Sequence, residues 1–305
     1  MKFNWQGVMP AVTTQFNSND ELDLDMFKVN IKAQLAAGVQ GIVLGGTLGE
    51  ASTLTEEEGR TLTRETVATV AGRIPVLMNI AEQTTKAAIA LAKSAKEDGA
   101  SGLMMLPPMR YKASDAEIVH YFKSVANSTS LPIMIYNNPV DYKLVVTLDM
   151  FQELLDACPN IQAVKESTRD TTNITRIKNR FGNRLAIMTG VDTLALESLV
   201  LGADGWVAGL VDAFPAETVA IYTLVKAGKV QEAITIYRWF MPLLELDIHP
   251  KLVQYIKMAA VYTGIGNEYV RAPRLVLEGA ERVRIEKVIT DALAIRPTLP
   301  DYKNL

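Results

Sequence analysis

The sequence predicts an α/β protein, a (β/α)8 TIM barrel with additional C-terminal helices. Eight short, almost uniformly apolar runs recur along the 305 residues, at intervals of about 20–35 residues. The stretches between them have the spacing of amphipathic helices, and the pattern from residue 215 onward is almost purely helical. Eight evenly spaced units favour a closed barrel over the alternative, a doubly wound parallel sheet.

Each apolar run is typical of a parallel strand that is buried on both faces. The predicted strands are residues 7–14, 41–45, 75–80, 102–106, 132–136, 161–165, 185–189 and 205–208. A helix is predicted between the first two, because Phe27, Ile31 and Leu35 share one helical face and Gly38 follows as a stop signal. Another is predicted over residues 84–97, ending at Gly99.

The chain divides into two parts by pattern. Residues 1–214 form the predicted barrel core, and residues 215–305 form its eighth helix and a C-terminal helical extension. This tail exceeds what one closing helix needs. We therefore expect two or three extra helices beside the barrel.

Composition excludes several classes of function. The chain has 31 basic and 34 acidic residues, interspersed, with a net charge of −3, so we expect no nucleic acid and no anionic membrane as partner. No run of 18 apolar residues occurs, the first residues are too polar for a signal peptide, and the single Cys158 forms no internal disulfide. We expect a cytoplasmic protein.

Metal chemistry has no support in the pattern. The two histidines, His120 and His249, lie in no metal-ligand spacing. A site built on carboxylates alone stays open, but we predict no metal and no cofactor.

Lys165 is the candidate nucleophile. It follows an apolar run, so a buried strand would deliver its ammonium group to the carboxyl-terminal mouth of the barrel, where barrel enzymes have their active sites. Burial lowers a lysine pKa from about 10.4 toward neutrality, and a neutral amine attacks ketones. The alternative is a solvated lysine at a strand end.

Two further strand ends carry suitable chemistry. Tyr136 ends the preceding strand, where a phenol could move protons; the alternative is an aromatic plug. The loop at residues 45–50 offers backbone N–H groups around Gly46 for a carboxylate, and the Thr47 hydroxyl for a proton relay. The alternative here is an ordinary tight turn.

Four ordered motifs carry a resemblance. Gly-Gly-Thr-Leu-Gly-Glu at 45–50, Tyr-Asn-Asn-Pro at 136–139, Val-Lys-Glu at 164–166 and Gly-Val-Asp at 190–192 resemble the dihydrodipicolinate synthase / N-acetylneuraminate lyase family. The resemblance implies a class I aldolase mechanism without cofactor or metal, in which Lys165 forms a Schiff base with a 2-oxo acid, Tyr136 shuttles protons and Thr47 orients it. It also implies a homotetramer, a dimer of dimers. The implied substrate-binding residues are Gly46, Thr47, Leu48, Gly190, Val207, Arg110, Tyr111 and Asp141.

The chain departs from the synthase pattern at three positions. Leu48 replaces a second threonine, Arg110 stands where a neighbouring subunit's tyrosine is expected with Tyr111 displaced by one, and Asp141 replaces an arginine. An acid at position 141 would repel the carboxylate of a second substrate.

The departures make the chain resemble the catabolic branch of the family. The preferred function is 1-pyrroline-4-hydroxy-2-carboxylate deaminase, an enzyme of hydroxyproline breakdown, because its substrate has one carboxylate and one hydroxyl. The alternatives are a 2-keto-3-deoxy sugar acid dehydratase or aldolase, and 4-hydroxy-tetrahydrodipicolinate synthase.

Two interpretations from other classes stay open. One is a catalytically silent barrel that binds small molecules, against which the intact Lys165, Tyr136 and Thr47 argue. The other is a phosphate-binding barrel enzyme, which would use glycines near the last two strands; these are Gly190, Gly202, Gly205 and Gly209.

Overall fold

The structure, a computed structural model, describes residues 3–108 and 111–305. Eight strands lie in these residues, β1–β8 in chain order: Gly7–Pro10, Ile42–Leu44, Val76–Ile80, Gly102–Met105, Ile133–Asn137, Ile161–Glu166, Ala186–Thr189 and Gly205–Ala208. Twelve α-helices, α1–α12, accompany them: Leu24–Ala37, Glu56–Val70, Thr85–Glu97, Asp115–Ala126, Pro139–Tyr142, Leu148–Ala157, Thr172–Phe181, Ala195–Val200, Pro215–Lys226, Val230–Leu244, Leu252–Tyr262 and Gly279–Ala294.

The eight strands form one parallel sheet that curls into a barrel. Each strand pairs with its neighbours in chain order, and β1 pairs with β8 in parallel. The ring closes between β1 and β2, where Ala11 forms a parallel bridge to Val43 and the Val12 amide donates to the Val43 carbonyl at 3.0 Å. The predicted (β/α)8 TIM barrel is confirmed.

The first strand is shorter than predicted. The apolar run reaches residue 14, but β1 ends at Pro10. Beyond it, the Thr14 hydroxyl donates to the carbonyl of Gly49 at 2.6 Å, and the Gln15 amide donates to the Thr13 hydroxyl at 2.9 Å. These buried polar groups bind the neighbouring loop and each other, and so hold the chain at the barrel mouth.

The helix boundaries follow capping chemistry. Thr84 accepts a hydrogen bond from the Ala87 amide and starts α3 one residue later than predicted, while Gly38 ends α1 in the left-handed conformation at φ 93°. No helix in residues 3–108 and 111–305 is long and apolar enough to cross a membrane.

The tail contains four helices, α9–α12. Helix α9 contacts β1 and β8, and α10–α12 pack beyond it. The tail is less uniformly helical than its pattern suggested, because residues 263–278 contain no helix. Polar contacts occupy this segment: Asn267 donates to the Phe16 carbonyl at 2.8 Å, and Arg271 binds Glu58 at 2.8 Å. It thereby fastens the tail to the barrel mouth.

Candidate active site

Lys165 lies at the mouth end of β6, inside the barrel wall. Its Cα pairs with that of Tyr136 on β5, and its Nζ lies 4.1 Å from the centroid of the Tyr136 ring. The side chain is only 7% exposed. The amine is therefore removed from bulk water and placed directly over a phenol ring.

Burial controls the charge of this amine. Desolvation lowers the pKa of Lys165, while the nearby Tyr142, Asp247 and Asp192 raise it; desolvation dominates. A lowered pKa increases the fraction of neutral amine near neutral pH, which is the form that adds to a carbonyl.

Tyr136 is held as a neutral phenol with its proton free. Burial raises its pKa to about 12. The amide Nδ2 of Asn138 donates to the Tyr136 hydroxyl oxygen at 3.1 Å. Because that contact uses a lone pair of the oxygen, the phenolic proton remains available to a reacting group. Asn138, the third residue of the Tyr-Asn-Asn-Pro motif, thus orients this phenol.

Thr47 meets a second phenol, which the sequence analysis missed. Its Oγ1 lies 3.1 Å from the hydroxyl oxygen of Tyr142, and the Tyr142 ring packs edge-on against Tyr136 at 5.7 Å between centroids. Burial raises the pKa of Tyr142 to about 12. The sequence does contain a local signal for this placement. Asn138 caps a short helix and Pro139 begins it, and this helix brings Tyr142 back over the strand ends.

Gly190, directly after β7, lies against the side chain of Lys165. A Cβ on Gly190 would lie 2.6 Å from Cε of Lys165, so no larger residue fits without moving the lysine. In the first loop, a Cβ on Gly46 would meet nothing within 4 Å. Gly46 therefore borders open space, as a carboxylate-binding turn requires.

Asp192 holds a carboxyl group in a fixed position beside the site. Its carboxylate accepts from the Trp206 indole at 2.9 Å and from the Gly209 and Leu210 amides at 3.2 and 2.8 Å. These donors occupy both oxygens, which indicates a structural role. Across the described part of the chain, no three His, Cys, Asp or Glu side chains come together as a set of metal ligands.

A charged pair stands at the rim. Asp141 accepts from Asn138 at 2.7 Å, and its other oxygen lies 3.5 Å from a guanidinium nitrogen of Arg169. Arg169 follows β6 with a left-handed backbone, φ 62°, and that conformation carries some strain in a residue other than glycine. Asp141 is among the residues predicted from the sequence, whereas no sequence motif indicated the arginine beside it.

Comparison with known proteins agrees with this geometry. The profile of the Dihydrodipicolinate synthetase family matches residues 4–292. The chain belongs to this family. It is 34% identical over 276 residues to a 4-hydroxy-tetrahydrodipicolinate synthase of Exiguobacterium sibiricum, covering 90% of this chain and 92% of the relative. It is 32% identical over 281 residues to a protein of Rhizobium meliloti named an uncharacterized DapA-like lyase, covering 90% and 92%.

A solved structure from the family has the same fold. The 4-hydroxy-tetrahydrodipicolinate synthase of Methylacidiphilum fumariolicum SolV superimposes with a TM-score of 0.90 at 27% identity, covering 95% of this chain and 97% of the other. Members of the dihydrodipicolinate synthetase family are Schiff-base lyases, and this chain is an enzyme of that type.

The other predicted site residues are distributed unevenly. Leu48 and Val207 are buried, at 4% and 1% exposure, with Val207 inside β8. Tyr111 is exposed and lines a separate cavity of about 390 Å³ with Glu117 and His120, whose lining includes neither Lys165 nor Tyr136. Arg110 lies outside the described residues.

Proposed function

We propose that this Schiff-base lyase acts on a 2-oxo acid with a hydroxyl at C4, or on its cyclic imine, and that 1-pyrroline-4-hydroxy-2-carboxylate is the best match. The observation that carries the proposal is the buried Lys165 amine 4.1 Å over the Tyr136 ring, beneath a rim whose Asp141 replaces a cation with an acid. Because Asp141 pairs with Arg169, the rim offers no unpaired cation to a second carboxylate, and it tolerates a hydroxyl.

The chemistry begins with imine exchange. The Lys165 amine adds to C2 of the cyclic imine, the bond from C2 to the ring nitrogen breaks, and that nitrogen takes a proton and leaves as an open-chain amine on C5. The resulting iminium at C2 withdraws electrons, so a proton on C3 becomes acidic. Its loss gives an enamine that stays attached to Lys165.

Elimination and hydrolysis complete the reaction. The C4–O bond breaks, and the hydroxyl takes a proton and leaves as water. The new double bond migrates to C5, where the amine becomes an imine that water hydrolyses to an aldehyde and ammonia. A further water hydrolyses the imine at C2 and frees Lys165. One water is released and two are consumed, which balances loss of ammonia from the substrate.

The phenols supply the proton transfers. With a pKa of about 12, Tyr136 is protonated at neutral pH and donates to the oxygen or nitrogen that leaves C2. Tyr142, bound to Thr47 and packed on Tyr136 within the same chain, provides a route by which the proton is replaced.

Incubation with candidate substrates tests the proposal. Wild-type protein should release ammonia from 1-pyrroline-4-hydroxy-2-carboxylate, and borohydride with pyruvate should add a stable mass to the peptide that contains Lys165. A different result would be that the protein is trapped with pyruvate, releases no ammonia and consumes a 2-keto-3-deoxy sugar acid. That result would support the dehydratase or aldolase alternative.

Condensation is the second candidate, and Arg169 favours it. The arginine places a cation at the rim although position 141 carries an acid, and the relative from Exiguobacterium sibiricum is named a 4-hydroxy-tetrahydrodipicolinate synthase. Rapid consumption of pyruvate with aspartate semialdehyde would support this candidate over the lyase reaction.

A further inference from the structure

Asp247 reaches the barrel mouth from the C-terminal extension. It lies on a short 3-10 turn, Glu245–Ile248, that follows α10. Its carboxyl group occupies the space over Gly209, just after β8: a Cβ on that glycine would overlap Asp247 Oδ1 and would lie 3.0 Å from Cδ1 of Leu48. Gly209 thus makes room for the acid, and the acid stands between β8 and the first loop.

The carboxyl group of Asp247 lies close enough to the reacting groups to affect their charge. It adds to the charges that act on Lys165 and on Tyr136. It is itself under the influence of Asp192, Lys165, Asp141 and Arg169. The Asp247 carboxyl therefore lies within the range of charge interaction with Lys165 and Asp192.

Asp247 differs from the other acids of the site in its bonding. Asp192 accepts from an indole and two amides, and Asp141 accepts from Asn138 and pairs with Arg169. In residues 3–108 and 111–305, no group forms a hydrogen bond or salt bridge with the Asp247 carboxyl. Asp247 is only partly buried, so its carboxyl group remains open to a ligand in the mouth. A hydroxyl placed there would exchange a water for a direct hydrogen bond.

We propose that Asp247 is a specificity-determining residue that hydrogen-bonds the C4 hydroxyl of the 2-oxo acid attached to Lys165, an inference that rests on the proposed function. A hydroxyl both donates and accepts, so it fits a carboxyl group in either protonation state. An aliphatic C4 would leave the acid without a partner.

The protonation state of Asp247 supports this choice of group. Burial raises its pKa well above the usual range, and Asp192 raises it further, although Lys165 lowers it. A protonated carboxyl donates to a hydroxyl oxygen and gives no net attraction to an ammonium group. The chemistry at this position therefore selects a neutral oxygen substituent.

Borohydride trapping on Lys165 tests the inference with a matched pair of acids, 4-hydroxy-2-oxobutanoate and 2-oxobutanoate, which differ only in the hydroxyl. Wild-type protein should reach half-trapping at about tenfold to a hundredfold lower concentration of the hydroxy acid, as one hydrogen bond to an acid allows. Asp247→Leu should reduce this preference to within about threefold, and near-isosteric Asp247→Asn should keep part of it. Intact mass identifies the adduct. Each variant's trapping of the two acids is divided by its own trapping of pyruvate, because loss of the Asp247 charge also changes the pKa of Lys165.

Glu245→Gln is the matched control, because it removes an acid from the same turn at an exposed position; its preference should equal that of wild type. The inference would be wrong if wild type trapped the two acids equally, or if Asp247→Leu kept the full preference. Trapping of pyruvate in the same experiment would still support the imine at Lys165. If neither pyruvate nor either of the two acids were trapped, the proposed imine at Lys165 would be wrong, and the inference would fail with it.

Discussion

The hydroxyl oxygen of Tyr142 lies 3.1 Å from Oγ1 of Thr47, and both residues belong to one chain. The family resemblance implied a tyrosine from a neighbouring subunit at this point of the relay. Tyr142 reaches it from the helix Pro139–Tyr142, directly after β5. A second phenol is thus available within the protomer.

Replacing Tyr142 with phenylalanine should therefore slow proton transfer without disturbing the imine. We expect exchange of the methyl protons of pyruvate for deuterium to fall by about 10–100-fold, at the lower end of the worth of one acid–base group. Proton NMR in D₂O measures the exchange. Tyr111→Phe is the control, since Tyr111 lines the separate cavity; if that variant slowed exchange and Tyr142→Phe did not, the relay would depend on Tyr111 instead.

Lys165→Ala should abolish borohydride trapping and lower turnover by more than about a thousandfold, as loss of a catalytic nucleophile commonly does. Lys165→Arg should fail equally, because guanidinium stays protonated. In wild type, trapping should become faster as pH rises through the lowered pKa of Lys165, because only the neutral amine adds to pyruvate. Circular dichroism of the variants checks the fold, and retained turnover in a folded Lys165→Ala would remove the Schiff base from the mechanism.

Tyr136→Phe should slow turnover by about 10²–10⁴-fold, the usual worth of a general acid–base group, while some borohydride trapping by pyruvate persists. The ring that packs under Lys165 is kept, so only the hydroxyl and its contact with Asn138 are lost. Steady-state turnover and adduct mass are measured together. Turnover equal to wild type would mean that the phenol only fills the barrel mouth.

Prediction from sequence succeeded where the signal is local. The strand containing Lys165 is an apolar run, and its place in the barrel follows from the regular spacing of such runs. The αL cap at Gly38 and the N-cap at Thr84 are likewise set by residues beside the helices. These features need no knowledge of distant contacts.

The missed features depend on residues that are far apart in the chain. Tyr142 meets Thr47 across 95 positions, and Asp247 arrives over Gly209 from a turn in the tail. No periodicity reports such an approach, because it depends on how the tail packs on the closed barrel. Arg169 lies near Lys165 in sequence, but its pairing with Asp141 requires the loop after β6 to approach the helix after β5.

Lys257→Met should destabilise the protein by about 3–5 kcal/mol, the general cost of breaking a buried ion pair from one side. Lys257 Nζ lies 2.7 Å from Glu50 Oε1, and both side chains are fully buried. The variant removes the closest cation from the Glu50 carboxylate, which keeps only the Arg271 amide at 3.1 Å and the partly exposed Arg274 at 3.6 Å. Urea denaturation measures the change in the free energy of unfolding. Lys287→Met is the control, because the pair of Lys287 and Asp291 is exposed. Such a pair contributes about 0.3–0.5 kcal/mol. The double variant Glu50→Leu with Lys257→Met should be more stable than Lys257→Met alone.

The pair of Asp141 and Arg169 should decide how the site treats a substrate with a distal carboxylate. Asp141 neutralises the arginine, so wild type should give no measurable condensation of pyruvate with aspartate semialdehyde. Asp141→Asn keeps the side-chain size and frees the guanidinium 3.5 Å away, so trapping of 2-oxoglutarate relative to pyruvate should improve by about three- to tenfold, a modest effect because solvent screens the rim. Arg169→Gln in the Asp141→Asn background should remove that gain. Efficient condensation by wild type would show that Arg169 binds the carboxylate despite its acidic neighbour, and Arg169→Gln alone should then abolish it.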